Sequence, residues 1–143
     1  MRSKAKTIII LSALTLISGI TSAQITISNS SGSTIATISS DGRVENASSS
    51  TIGYIDSGGR VEDSGRSTIG YVDGGRIEDS GRSTIGYIDS SGRVENSGRS
   101  TIAYIESGRI EDSGRSTILR FSGDRDLNKL AAYIFFFSDA VKK

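Results

Sequence analysis

The chain has 143 residues, with 17 lysines and arginines against 16 aspartates and glutamates, 17 glycines, and no histidine, cysteine or proline. Without histidine or cysteine there is no imidazole-activated or thiolate nucleophile, no imidazole or thiolate metal ligand and no disulfide, so the fold must be held by its core alone. The near-neutral balance argues against nucleic acid as a partner, which would want a clustered basic face.

Residues 1–23 read as a secretory signal peptide. Arg2, Lys4 and Lys6 precede an apolar run from Thr7 to Ile20, and the small residues Thr21, Ser22 and Ala23 place cleavage before Gln24. The run is shorter than the ~20 apolar residues a membrane span needs. The expected mature chain, 24–143, is a single domain outside the cytoplasm, periplasmic or secreted, with no stable membrane anchor. Three of the 17 basic residues lie in the signal, leaving 14 against 16 acidic ones.

From Ile25 to Phe121 the chain repeats itself. Ser-Thr-Ile triplets start at Ser33, Ser50, Ser67, Ser83, Ser100 and Ser116, at spacings of 17, 17, 16, 17 and 16 residues. The variation sits in one link, Asp56-Ser57-Gly58-Gly59 against Asp73-Gly74-Gly75 or Glu106-Ser107-Gly108, which marks that link as a turn. The other junction keeps its length, as in Val61 to Ile69, which suggests a tight hairpin with a Ser-Gly turn. Glycine supplies positive φ in such turns, and Asp or Asn side chains cap them, so proline is not needed.

Each unit is expected to hold two short strands, Thr68 to Asp73 and Arg76 to Asp79 in the third copy. Strict alternation would leave an apolar residue on both faces of the first strand. A β-bulge at Gly70 would instead point Ile69 and Val72 the same way and lean Tyr71 over the glycine; this is the reading adopted.

An isolated hairpin cannot bury its apolar side. The repeats therefore form either a closed ring around a common core or a β-solenoid with one repeat per coil. The closing tail, 124–143, bears on the choice. Leu127, Leu130, Ala131 and Ile134 follow helical spacing with Asp124 or Asp126 as cap, although Phe135 to Phe137 would also suit a buried strand. In either form the tail would cover the end of a ring.

The recurrent Thr-Ile-Gly-Tyr-Ile-Asp, the Gly-Arg-Val-Glu-Asp-Ser-Gly-Arg and the terminal Ala-Ala-Tyr-Ile-Phe-Phe-Phe together resemble the five-fold β-flower proteins, small exported bacterial β-repeat proteins. The resemblance covers essentially the whole mature chain. It implies an all-β fold in which 16–17-residue hairpins form a closed pseudo-five-fold ring. Six triplets joined by five links imply that one petal is shared between the chain ends. The resemblance carries no established activity.

Catalysis is not expected. Glu62, Glu78, Glu95 and Glu111 occupy equivalent repeat positions, whereas a catalytic carboxylate pair needs two unlike environments. Calcium is not expected either, because each Glu-Asp pair is flanked by arginines, as Glu62 and Asp63 are by Arg60 and Arg66. Arg66, Arg82, Arg99 and Arg115 are read as surface salt-bridge partners of these carboxylates. No cofactor is implied.

Two functions stand. In the first, a non-catalytic structural or interaction module presents a repeated surface to a protein or a glycan through Tyr54, Tyr71, Tyr87 and Tyr104. Packing within or between petals is the competing role for these tyrosines, which lie mid-strand beside Gly or Ala. In the second, a solenoid aligns Thr34, Thr51, Thr68, Thr84, Thr101 and Thr117 in a flat ladder that binds ice or another regular surface.

Overall fold

The computed structural model describes residues 24–143, so the expected signal segment lies outside the described residues. Twelve strands follow one another: β1 (Ile25–Asn29), β2 (Thr34–Ile38), β3 (Arg43–Asn46), β4 (Thr51–Ile55), β5 (Arg60–Asp63), β6 (Thr68–Asp73), β7 (Arg76–Asp79), β8 (Thr84–Ile88), β9 (Arg93–Asn96), β10 (Thr101–Ile105), β11 (Arg109–Asp112) and β12 (Thr117–Gly123). Every strand pairs antiparallel with its chain neighbours, and β12 closes on β1, with Ile25 opposite Gly123 and Ile27 opposite Phe121. The result is a closed barrel and not a solenoid. Five variable links join the hairpins at one rim, and the two chain ends pair in the remaining place, as the shared petal required.

The fixed-length junctions line the other rim. In the loop after β5, Asp63 N donates to Ser67 O at 2.9 Å and Arg66 N to Asp63 O at 3.1 Å. The Asp63 carboxylate accepts from the backbone N–H of Gly65 and Ser67 at 2.9 and 3.0 Å, so the aspartate caps its own turn as expected. The positive φ, however, falls on Arg66, at 68°, and not on Gly65; Arg82, Arg99 and Arg115 repeat it at 66–70°. Left-handed backbone costs a residue with a Cβ about 1–2 kcal/mol. At the variable rim glycine does carry it: Gly59 has φ 86°, and a Cβ there would stand 2.0 Å from the carbonyl oxygen of Val72.

The expected bulge is present, one residue earlier than placed. Glu62 faces Thr68 and Val61 faces Gly70, which leaves Ile69 as the extra residue. All six even-numbered strands repeat this break. Gly70 and Val72 then point inward, and Ile69 packs against the core from its edge. Tyr71 points out through the wall, between Arg60 on β5 and Glu78 on β7, and does not lean over the glycine. The apolar side chains of the two faces are thereby gathered onto one.

A barrel of about eight strands is narrow enough for its own side chains to fill, and interior width grows with strand number. Twelve strands lined by single Val or Ile residues, among them Val44, Val61, Ile77, Val94 and Ile110, leave a lumen that something else must occupy. The tail occupies it. It forms a helix, α1 (Leu127–Phe136), capped by Asp126, whose carboxylate accepts from Lys129 N at 3.1 Å. Six successive residues, Leu130 to Phe135, are buried, so no face of this stretch looks to solvent.

The helix enters at the variable rim, where Arg125 donates to Ile105 O at 2.8 Å. It ends towards the other rim, where Val141 is buried beside Ile102 and Ile118 and Lys143 Nζ donates to Phe135 O at 2.5 Å. The tail thus fills the barrel along its axis and does more than cover an end.

Three strand glycines seat the aromatic end of α1. A Cβ on Gly86, Gly70 or Gly53 would lie 2.2, 2.2 and 2.4 Å from the rings of Phe135, Phe136 and Phe137 respectively. The equivalent positions on β2, β10 and β12 carry Ala36, Ala103 and Leu119.

Candidate interaction surface on the outer wall

Alternation that turns Gly53 and Ile55 inward turns Tyr54 outward, and the same holds for Tyr71, Tyr87 and Tyr104. Each is half-buried on the outer wall; none belongs to the core. The hairpin loop beyond each tyrosine returns an arginine over its ring. The guanidinium carbons of Arg66, Arg82, Arg99 and Arg115 stand 3.4–3.5 Å from the ring centroids of Tyr54, Tyr71, Tyr87 and Tyr104. The left-handed backbone at these arginines directs the side chain back over the wall.

Opposite each tyrosine, on the following strand, lies a glutamate gripped by two arginines. Glu78 receives Arg76 Nε at 2.8 Å on one oxygen and Arg82 at 3.0 Å on the other. Glu111 receives Arg109 at 2.7 Å and Arg115 at 3.2 Å, and Glu62 and Glu95 repeat the pattern. The four glutamate side chains are 3–11% exposed while the stacked arginines are 55–64% exposed. The salt bridges read from the sequence are therefore present, with the carboxylate buried beneath the cations. Two guanidiniums per carboxylate leave no surplus negative charge for a calcium ion.

The first copy shows what the full group does. There Thr37 stands in place of tyrosine and Ser49 in place of the stacked arginine, and Glu45, held by Arg43 alone at 3.5 Å, is 24% exposed. Tyrosine and the second arginine together shelter the glutamate.

Removing the arginine separates the contributions. In Arg66→Ala the ring stacking, worth about 0.5–2 kcal/mol, is lost and Glu62 keeps one partner, while the left-handed strain remains. Arg66→Gly loses the same contacts and releases the strain. We expect both variants to melt below the wild type, with Arg66→Ala less stable than Arg66→Gly by about 1 kcal/mol. Paired urea titrations measure the difference; equal midpoints would mean that the backbone there is unstrained.

Hydrogen bonds from Arg109 and, after it, Arg115 hold the Glu111 carboxyl below the usual carboxylate range, against the opposing effect of burial. Asp89 is lowered likewise, first by the Ser91 hydroxyl and also by the Arg93 backbone. Since the folded state binds these protons less tightly than the unfolded chain, their contribution is complete above the unfolded carboxylate value, about 4, and is lost as pH falls through the lowered folded value. Thermal melts between neutral pH and pH 3 should show Tm falling below about pH 4, with a shallower fall in Glu111→Gln. A Tm that is flat across that interval in the wild type would contradict this.

The six threonines named for a flat ladder sit at the starts of β2, β4, β6, β8, β10 and β12, and are spread around the circumference of the closed barrel. They share no plane, and that reading is overturned by the closure. The glycine seats of the helix and the buried glutamates were not singled out as a site. The signal for the seats was present: Gly53, Gly70 and Gly86 against Ala36, Ala103 and Leu119 mark the side of the ring that the phenylalanines face.

The architecture is that of a closed β-repeat barrel threaded by its own C-terminal helix, with one polar group recurring around its outer wall. The chain belongs to the family described as 5-fold beta-flower protein, which matches residues 9–81 and 24–138. Neither comparison with curated proteins nor comparison with solved structures yields a match.

Proposed function

We propose that the protein is an exported, non-catalytic module that presents a repeated outer surface to a protein or glycan partner. The observation that carries this reading is the fourfold recurrence of one tyrosine–arginine–glutamate group on the outer wall, each arginine over half exposed. Glycine would relieve the backbone at the four arginine positions, yet arginine stands at each. Tyrosine and arginine are the side chains most enriched where surfaces bind, and four equal copies convert weak contacts into avidity. The four glutamates share one environment, which supports a binding role over acid–base chemistry.

The test replaces all four tyrosines by alanine and compares retention of the mature protein on arrays of glycans and cell-envelope proteins. The variant should stay folded by circular dichroism and lose retention by more than tenfold. Retention equal to the wild type would sink the proposal.

Export is the second element of the proposal, supported by the basic start and apolar run of residues 2–20. Mass spectrometry of the exported protein should give Gln24 as its first residue; Met1 retained in that fraction would refute it.

A further inference from the structure

The four outer-wall groups are not surrounded alike. Each tyrosine stands beside the hairpin tip of the preceding petal, and three of those tips are the long form of the variable link: Ser39 to Arg43 beside Tyr54, Asp56 to Arg60 beside Tyr71, and Asp89 to Arg93 beside Tyr104. Beside Tyr87 the tip is the short form, Asp73-Gly74-Gly75-Arg76, a two-residue turn with φ 56° and 82° at its glycines. The missing residue opens a groove of about 520 Å³ along the wall, bounded by Asp73, Arg76, Tyr87, Asp89, Arg93 and Arg99. A volume of this size lies within the range of small-ligand sites, about 300–1,000 Å³.

The lining dictates the ligand. Arg93 pairs with Asp89 at 3.2 Å and Arg99 with Glu95 at 3.2 Å, so the arginines are charge-compensated, while Asp73 makes no ion pair among the described residues. Guanidinium donors and carboxylate acceptors thus alternate around one aromatic side chain with no excess of either sign. An anion would meet as many carboxylates as arginines, and an apolar ligand would find little but charge. A neutral polyhydroxyl ligand offers donors and acceptors at every carbon, matched to both kinds of group.

We propose that the groove beside Tyr87 is a saccharide-binding site for a neutral glycan segment, one per chain, created by the shortening of the β6–β7 link. The proposal rests on the reading of the outer wall as a recognition surface and names the ligand class for one of its four faces.

The experiment titrates the mature protein with maltotriose, cellotriose and tri-N-acetylchitotriose and follows backbone amides and tyrosine rings by NMR. At least one trisaccharide should shift Gly74, Gly75 and Asp89 together with the Tyr87 ring, saturating at one equivalent. Inserting a serine between Asp73 and Gly74 rebuilds the Asp-Ser-Gly-Gly-Arg link found at Asp56 to Arg60, so the variant should fold with little change in Tm and bind at least tenfold more weakly. Asp73→Ala, at an exposed position, should weaken binding with an unchanged melt.

No perturbation by any of the three sugars, equal shifts at all four tyrosines, or full binding by the insertion variant would each overturn the proposal. Equal shifts would leave the repeated-surface reading standing without the special groove. Loss of array retention in the four-tyrosine variant, with no response to trisaccharides, would likewise remove the groove alone.

Discussion

Truncation after Gly123 should abolish cooperative unfolding of the whole domain, and not only loosen its end. The cut removes Leu130, Tyr133, Ile134 and Phe135, each no more than 5% exposed, from the axis of a twelve-stranded wall. Removing a single large buried side chain costs about 2–5 kcal/mol, so four together, about 8–20 kcal/mol, are as large as the roughly 5–15 kcal/mol by which a domain is stable. The wall cannot contract to compensate, because its circumference is set by twelve hydrogen-bonded strands. Circular dichroism and a thermal melt of the truncated protein decide the matter. A near-normal melt with most of the β signal retained would mean that the helix is a dispensable cap.

The second large effect is expected from a single methyl group. In Gly70→Ala the new Cβ would fall 2.2 Å from the tip of the Phe136 ring and 2.6 Å from the carbonyl oxygen of Glu78. The ring can shift, but the strand backbone cannot shift without disturbing the Gly70–Asp79 pairing. Overpacking of this kind costs about 1–3 kcal/mol, which for a domain of this size is a fall in Tm on the order of 5–10 °C. Phe136→Leu should be destabilising alone and should relieve part of the loss in the double variant, a coupling that neighbouring residues show and distant ones do not. Strict additivity of the two substitutions would place the ring elsewhere.

Strand positions were legible because β-branched runs and turn residues recur at a fixed interval, and β6 and β7 fall on the boundaries the repeat predicts. The shared petal followed from counting six triplets against five links. The outer wall was legible only in part. Its residues could be named, but a period-two pattern says which residues share a face and not which face is the core, and the bulge at Ile69 altered the pattern besides.

The seat of positive φ was misplaced for a related reason. Local propensity assigns it to Gly65, but the loop puts it one residue later in every copy, at Gly32 and Ser49 as well as at the four arginines, so the geometry of the hairpin loop and not the residue type sets its place. By itself the amino-acid sequence determined the repeat, the turns and the strands, all of which follow from interactions within one or two units; the pairing of Ile25 with Gly123 that closes the ring joins the two ends of the domain. The tertiary structure alone decided that the tail runs inside the barrel, that three glycines face its phenylalanines and that one shortened link opens a groove. These depend on the width of a ring of twelve strands, a quantity no single repeat contains.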